Sequence, residues 1–364
     1  MRFLGLDIGG ANLKVATADG ASCDVPFEMW RRHREVTDEL RRICTGVFAQ
    51  PELVALTMTA ELADCFESRS DGVRQIVQSV AAAFPGTPIR VWMTSGEFAE
   101  PADAVELPEL VAASNWHALA TWAGRAVPIG PAILVDTGST TTDIIPLIDG
   151  YPVPEGHMDL TRLISRELVY SGVRRTPVCA IVQGVAVSNG DGGSVSVPVA
   201  AELFATSLDA HLVTDGIGSD PTRTDTADGR PATKNYALAR LAHQLCCDEN
   251  DLTPEQLVEV AQQIVQAQQL QIRNAVEVVS QRLKQQFHAD PDDGVDDQVM
   301  WILSGSGVFL MERILQEQEV ASARILKLKD MTRCQILNAE CAFAVARLAA
   351  ERCLDDVLPL SPWA

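Results

Sequence analysis

Three short stretches of this sequence bring carboxylates, glycines and hydroxyls close enough together to handle a phosphate group. The first is Asp7-Ile8-Gly9-Gly10-Ala11-Asn12-Leu13-Lys14. An aspartate at a strand end can hold a hydrated Mg²⁺, while neighbouring glycines admit a phosphate to the backbone N–H groups. Lys14 and Asn12 add a cation and an amide donor. The second stretch is Asp136-Thr137-Gly138-Ser139-Thr140-Thr141-Thr142-Asp143. Its hydroxyls and turn N–H groups suit phosphate oxygens, and Asp136 suits the same metal from the other side. The third, Ser304-Gly305-Ser306-Gly307, reads as a tight strand-to-helix turn whose helix N-terminus faces an anion or a ligand ring. Each stretch also has a plain structural reading. Glycines supply unusual backbone angles in hairpins, and Ser/Thr-rich loops satisfy their own backbone.

The elements that must position these residues follow from the apolar pattern. Phe3–Ile8 reads as a strand, Lys14–Ala18 as its returning partner, and Asp19-Gly20 as a hairpin turn. A third strand is expected over 25–30. Helix-period segments near 36–49, 71–84 and 114–125 then alternate with apolar strands at 53–59 and 89–94, the pattern of a parallel, covered sheet. Strands at 132–136 and 142–148, joined through Thr137-Gly138-Ser139, repeat the opening plan. The second half is expected to carry helices at 159–170, 201–213, 234–246 and 254–287. The last has Thr253 as N-cap and Pro254 at its first position. Its glutamine-rich run, 262–271, reads as solvated surface. A loop at 290–297, strands at 299–303 and 323–328, and helices from Val308 and from 338 to 352 complete the chain.

Composition limits the function. The chain has 364 residues, 47% hydrophobic and 21% charged, which fits two globular domains at roughly 150 residues each. Twenty-nine Lys and Arg against 49 Asp and Glu leave a net charge of −20. Nucleic acid and anionic membranes are therefore excluded as general partners. Any phosphate must be held locally, by backbone N–H groups, a metal ion or a few placed cations. Nine cysteines without a C-x-x-C pair read as reduced thiols. The stretch before Asp7 is too short for a signal-peptide core, and no apolar run reaches the length of a membrane span. A soluble, cytoplasmic protein is expected.

The order of the three phosphate stretches and the duplicated plan resemble the superfamily of actin, sugar kinases and acetate kinase. That resemblance implies an α/β fold of two ribonuclease-H-like domains (the actin-like ATPase/sugar kinase fold) with an interdomain cleft. Domain I would be residues 1–127 plus 335–364, and domain II residues 128–334 with a helical insertion. Asp7, Gly9, Gly10 and Lys14 match its first phosphate motif. Asp136, Gly138, Ser139 and Thr140 match the second, and Gly305, Ser306 and Gly307 the third. Asn12 stands where many kinases have a hydroxyl residue.

Two longer strings, 133–143 and Glu167-Leu168-Val169-Tyr170-Ser171-Gly172-Val173-Arg174-Arg175-Thr176-Pro177, resemble the hydantoinase A/oxoprolinase branch. Ser114-Asn115-Trp116 and Thr226-Ala227-Asp228-Gly229-Arg230-Pro231 resemble its subgroup of tetrahydromethanopterin-linked C1-transfer proteins, whose archaeal members resemble the synthase of the methanofuran aryl ether, so that methanofuran or an analogue is the implied product. The resemblance implies a Mg²⁺-dependent transferase that condenses aminomethylfuran diphosphate with the phenol of tyramine or γ-glutamyltyramine. Asp7 and Asp136 would position Mg²⁺, and Lys14 with residues 138–141, Thr141 included, would grip the diphosphate. Asp143, Asp228 and Glu167 are alternative bases for the phenol. The implied partners are a small-molecule diphosphate and a phenolic amine, with no nucleic acid and no membrane. A homodimer and ATP binding stay open. The rivals are an ATP-dependent kinase or hydantoinase/oxoprolinase-type hydrolase, and a non-catalytic nucleotide-binding regulator.

Other residues have two readings. Asp159 reads as a helix N-cap or, with Glu155 and His157, as part of a metal site. Arg174-Arg175 is either an anion site or the cationic end of helix 159–170. Asp228, Arg230 and Lys234 approach the cleft or form a polar loop. His33, His117, His211, His243 and His288 have no spacing that suggests a triad or a zinc site.

Overall fold

The computed structural model describes residues 2–189, 192–248, 250–287, 299–332, 336 and 338–354. The expected loop at 290–297, His288, Cys334, the domain limit at 335 and residues 355–364 lie outside the described residues. β1 (Phe3–Ile8), β2 (Asn12–Thr17) and β3 (Ser22–Pro26) form an antiparallel meander. β4 (Leu53–Met58) and β5 (Ile89–Trp92) continue the sheet in parallel on the other side of β1, and β6 (Phe98–Ala99) closes its edge. The strand order is β3-β2-β1-β4-β5-β6.

The plan then repeats. β7 (Pro131–Thr137) and β8 (Thr142–Ile148) are antiparallel, with β9 (Tyr151–Pro152) and β10 (Leu168–Val169) paired to β8. A separate hairpin is made by β11 (Gly184–Ser188) and β12 (Ser194–Pro198). β13 (Met300–Ser304) and β14 (Ile325–Lys327) extend the second sheet in parallel, giving β10-β8-β7-β13-β14. A three-strand antiparallel meander continued by parallel strands, twice over, is the duplicated ribonuclease-H-like architecture that the sequence implied.

Two helices lie between the sheets. Asn115–Ala123 and Glu340–Leu354 share one core with Phe3, Leu53 and Ala55 of the first sheet and Leu134, Ile145 and Ile302 of the second. Glu340–Leu354 also packs on β1, β2 and β4. Alternate alanines in Ala342-Phe343-Ala344-Val345-Ala346 let this helix approach closely. Phe343 fills the joint and meets Trp122 edge-on, with ring centroids 5.1 Å apart. On this packing we propose the division at residue 127/128, with the C-terminal helix returning to the first domain.

Several expectations are corrected. The third strand ends at Pro26, because the chain turns back over the first phosphate stretch. Phe27 and Met29 donate their N–H groups to the carbonyls of Ala11 and Gly10, and Met29–Arg32 is a helical turn. The helix expected over 159–170 spans only Asp159–Ile164. Arg166 takes a left-handed φ of 65°, and the chain reverses into β10, so Arg174-Arg175 ends no helix. Met158 holds the N-cap position, and Asp159 is the first helical residue. The helix expected from 201 begins at Ser207, where Thr206 and Asp209 form a capping box. The helix Pro254–Phe287 stands as read, and Thr253 and Gln256 cap it reciprocally.

Among the described residues no helix is long and apolar enough to cross a membrane. The joint between the sheets gives the first prediction. Phe343→Ala should cost about 3–5 kcal/mol, read as a lower urea midpoint with an unchanged slope.

Candidate active site

The ends of β1 and β7 open into a cleft of about 500 Å³. It is lined by Asp7, Gly9, Gly10, Asn12 and Lys14 from the first stretch and by Asp136, Gly138, Ser139, Thr140, Thr141 and Asp143 from the second. The strand register explains why. Asp7 lies opposite Lys14 on β1 and β2, and Asp136 lies opposite Asp143 on β7 and β8. Each carboxylate is thus set at a strand end beside a glycine-containing turn.

The floor of the cleft is strongly charged. Asp7 is buried, with Lys14 Nζ 3.9 Å from one oxygen, and its Oδ1 has no hydrogen-bond partner among the described residues. Burial raises the proton affinity of Asp7, and Lys14 opposes the rise. Burial also acts against the charge of Lys14, yet Asp7, Cys341, Glu340 and Asp24 together hold it above its ordinary value. Asp136 is pushed up to about 7, first by burial and then by Glu340 and Asp143. Glu340, from the first turn of the C-terminal helix, is itself raised by burial.

The two turns differ in what they offer. In the first, Gly9 N–H closes on the carbonyl of Asn12 at 2.9 Å, and the Asn12 amide donates to Asp24 at 2.6 Å. Asn12 is therefore engaged in holding β2 to β3. No atom lies within 4 Å of where a Gly10 Cβ would stand, so its backbone faces open space. In the second, Gly138 N–H closes on the carbonyl of Thr141 at 2.8 Å. The hydroxyls of Ser139, Thr140 and Thr141 line the cleft without partners among the described residues. They are free to donate to an anion.

The second turn is braced from beneath. Val173 N–H donates to the carbonyl of Gly138, and Arg174 and Arg175 N–H groups donate to that of Ser139. A Cβ on Gly172 would stand 2.5 Å from Thr140 N and 2.6 Å from Gly138 O, so only glycine permits this approach. The Gly172 carbonyl accepts from Thr176 Oγ1 at 3.1 Å, Ser207 Oγ at 2.7 Å and Gln268 Nε2 at 2.8 Å. Gln268 in turn accepts from His211 Nε2 at 2.9 Å. Gln268 and Gln269 are buried, so the glutamine run is not all solvated surface.

Other expected site residues lie elsewhere. Gly305, Ser306 and Gly307 are not among the cleft-lining residues. Gly305 (φ 84°) and Gly307 pack against Thr137, where added Cβ atoms would fall 2.4 Å from its carbonyl and 2.3 Å from its side chain. This turn supports the end of β7. Asp228 accepts from Arg240 at 3.0 Å and from Arg230, in a network that also holds buried Asp209. Glu167 is fully buried and accepts from Glu155 N–H, Gly156 N–H and Arg282. Neither reaches the cleft, because both are tied into the body of the second half. Lys234 pairs with Asp215 at 2.9 Å.

Asp143 does line the cleft and accepts from Arg162 Nη1 at 2.9 Å. Sequence reasoning missed Glu340, Cys341, Trp30, Tyr170 and Arg162. Arg162 lies over the Trp116 ring at 4.0 Å, and Arg175 lies over Trp30 at 5.3 Å. No local signal marks Glu340, since a glutamate in a first helical turn is ordinary. Among the described residues eight cysteines are free, and buried Cys341 lines the cleft. No group of three His, Cys, Asp or Glu among the described residues is arranged to hold a metal ion.

Two predictions follow from the brace. Gly172→Ala should displace the 138–141 turn and lower anion binding there, measured by calorimetric titration with inorganic diphosphate. The second concerns His211, whose burial lowers its pKa from 6.5 to about 4. The unfolded chain thus binds a proton at a pH where the folded one does not. The stability from neutral His211 is complete above pH 6.5 and is lost as pH falls toward 4. His211→Asn should remove up to about 2 kcal/mol of the wild-type stability loss between pH 7 and 5, measured by urea unfolding at both pH values.

A profile of the hydantoinase/oxoprolinase family matches residues 52–351. Over 349 residues, 95% of this chain and 97% of the relative, the chain is 32% identical to the (4-{4-[2-(gamma-L-glutamylamino)ethyl]phenoxymethyl}furan-2-yl)methanamine synthase of Methanocaldococcus jannaschii. The protein of the same name from Methanococcus vannielii is 38% identical over 129 residues, 35% of this chain and 55% of that one. Among solved structures, nucleotide-free acetone carboxylase aligns over 95% of this chain and 70% of its own at 11% identity, with a TM-score of 0.48.

Proposed function

This chain belongs to the hydantoinase/oxoprolinase family, and from that premise we propose that it is a transferase forming an aryl ether. It joins the methylene of aminomethylfuran diphosphate to the phenol of tyramine or γ-glutamyltyramine and releases diphosphate. The observation that carries this reading is the end-to-end match to the Methanocaldococcus jannaschii synthase. That protein's name describes a phenoxymethyl group on a furan bearing an aminomethyl arm. Such an ether requires a leaving group on the furan methylene and a phenol as nucleophile.

The cleft fits a diphosphate held together with a divalent cation. Five carboxylates (Asp7, Asp64, Asp136, Asp143 and Asp159) and three cationic side chains (Lys14, Arg162 and Arg175) line it. A diphosphate added alone would meet a net negative wall. The unpartnered Asp7 Oδ1 and the hard oxygen donors of Asp7 and Asp136 suit Mg²⁺, which usually keeps several waters and takes only one or two carboxylates. Bound there, Mg²⁺ would neutralise the departing diphosphate. Lys14 holds a fixed positive charge beside the same phosphate oxygens. The N–H of Gly10 and the hydroxyls of Ser139, Thr140 and Thr141 orient the diphosphate and stabilise charge as it develops. The furan ring stabilises positive charge on its methylene, so the protein's task is to help the leaving group depart.

Asp7→Asn should lower the rate of diphosphate release by about 10²–10³-fold with an unchanged melting temperature, measured with synthetic aminomethylfuran diphosphate, tyramine and Mg²⁺. EDTA should abolish release and added Mg²⁺ should restore it. Full activity of the variant would remove Asp7 from the mechanism. Turnover of ATP alone, with no ether product, would return the protein to the ATP-dependent kinase or hydrolase reading.

A further inference from the structure

The cleft extends past its phosphate turns. Around Asp143, which pairs with Leu168 across the strands and which Arg162 links to the face of Trp116, its lining also includes Leu62, Asp64, Asp159 and Tyr170. This end has a different chemistry. Leu62 and Tyr170 are 53% and 67% exposed, so both can meet a ligand in the cleft. Trp116 is buried and carries Arg162 on its face. An aromatic ring suits these walls better than a phosphate does.

The carboxylates at this end are not equivalent. Arg162 donates Nη1 to Asp143 at 2.9 Å and Nη2 to the Glu167 carbonyl at 3.0 Å. Asp64 is solvent-exposed. Asp159, at the start of the helix Asp159–Ile164, is half-buried, and its carboxylate has no hydrogen-bond or ion-pair partner among the described residues. Burial raises its proton affinity; Asp143 adds to the rise, while Arg162 and Arg69 oppose it. Buried Glu61 stands within the field of the same carboxylate.

We propose that this end of the cleft is the acceptor site, and that Asp159 takes the proton of the acceptor's phenol. The inference rests on the aryl-ether reading above and assigns the base which that reading needs. In the step, the phenol oxygen forms a bond to the furan methylene. The bond from that methylene to the diphosphate oxygen breaks, and its electron pair leaves with the diphosphate. The phenolic proton passes to an oxygen of Asp159. Leu62, Leu168, Trp116 and Tyr170 pack the phenol ring while the phosphate turns hold the donor, which places both reactants in one cleft.

The test compares tyramine with 3,5-difluorotyramine, whose phenol is more acidic and needs less help from a base. Aminomethylfuran diphosphate and Mg²⁺ are supplied in both cases. Asp159→Asn should lower ether formation from tyramine by about 10²–10⁴-fold, and the loss should shrink markedly with the difluorinated acceptor. The KM for the diphosphate should stay near that of the wild type. Asp159→Ser is carried through the same comparison, and thermal melting of both variants separates lost chemistry from lost folding. Equal losses with the two acceptors in a folded variant, or no loss with tyramine, would overturn the assignment and leave the ether reading intact. Wild-type protein that makes no ether from tyramine, 3,5-difluorotyramine or γ-glutamyltyramine would overturn both.

Discussion

Half-buried Lys14 sits beside buried Asp7, within the field of Asp24 and Glu340, and the cleft is organised around that pair. Carboxylates taken out of water are costly unless something positive offsets them. Here the compensation is incomplete, as the unpartnered Asp7 Oδ1 and the raised proton affinity of Asp136 attest. The helix between the sheets adds the field of Glu340 to that of these groups. Such a site is poorly suited to a free anion and well suited to an anion that arrives with a divalent cation. The −20 charge of the chain and the local chemistry therefore point the same way.

The second constraint is mechanical. The turn at 138–141 lines the cleft, but the contacts that fix it come from behind. Gly172 lies against it, held by Thr176, Ser207 and Gln268, and Gln268 rests on His211. The middle of the long helix Pro254–Phe287 is thus linked to the 138–141 turn through one carbonyl. Gly305 and Gly307 act similarly on the end of β7. Glycines that looked like ligand contacts instead allow backbone to approach backbone, which positions the groups that do line the cleft.

Local pattern made much of this legible. The strand-ending Asp7 and Asp136, the turns after them and the duplicated plan are written in alternating apolar residues and glycines. The structure brings both stretches to one cleft. The long helix was equally readable, since Thr253, Pro254 and an unbroken apolar stripe leave little choice. Features that depend on distant partners were hidden. The helix at 159 stops early because the chain reverses at Arg166 and enters β10. Gln268 looks like surface until His211 and Gly172 are seen beside it. Asp228 and Glu167 looked available but are engaged by Arg240 and Arg282, whereas Asp159 looked like a cap and lines the cleft with no partner among the described residues.

The dependence of phosphate binding on a divalent cation is the point on which the account turns. The most direct measurement is calorimetric titration of inorganic diphosphate into the purified protein, with Mg²⁺ and with EDTA. The account predicts binding with Mg²⁺ and an affinity about tenfold or more lower in EDTA, a difference of about 1.4 kcal/mol or greater. Equal affinity under both conditions would contradict it, since the cleft would then hold a bare diphosphate against its own carboxylates.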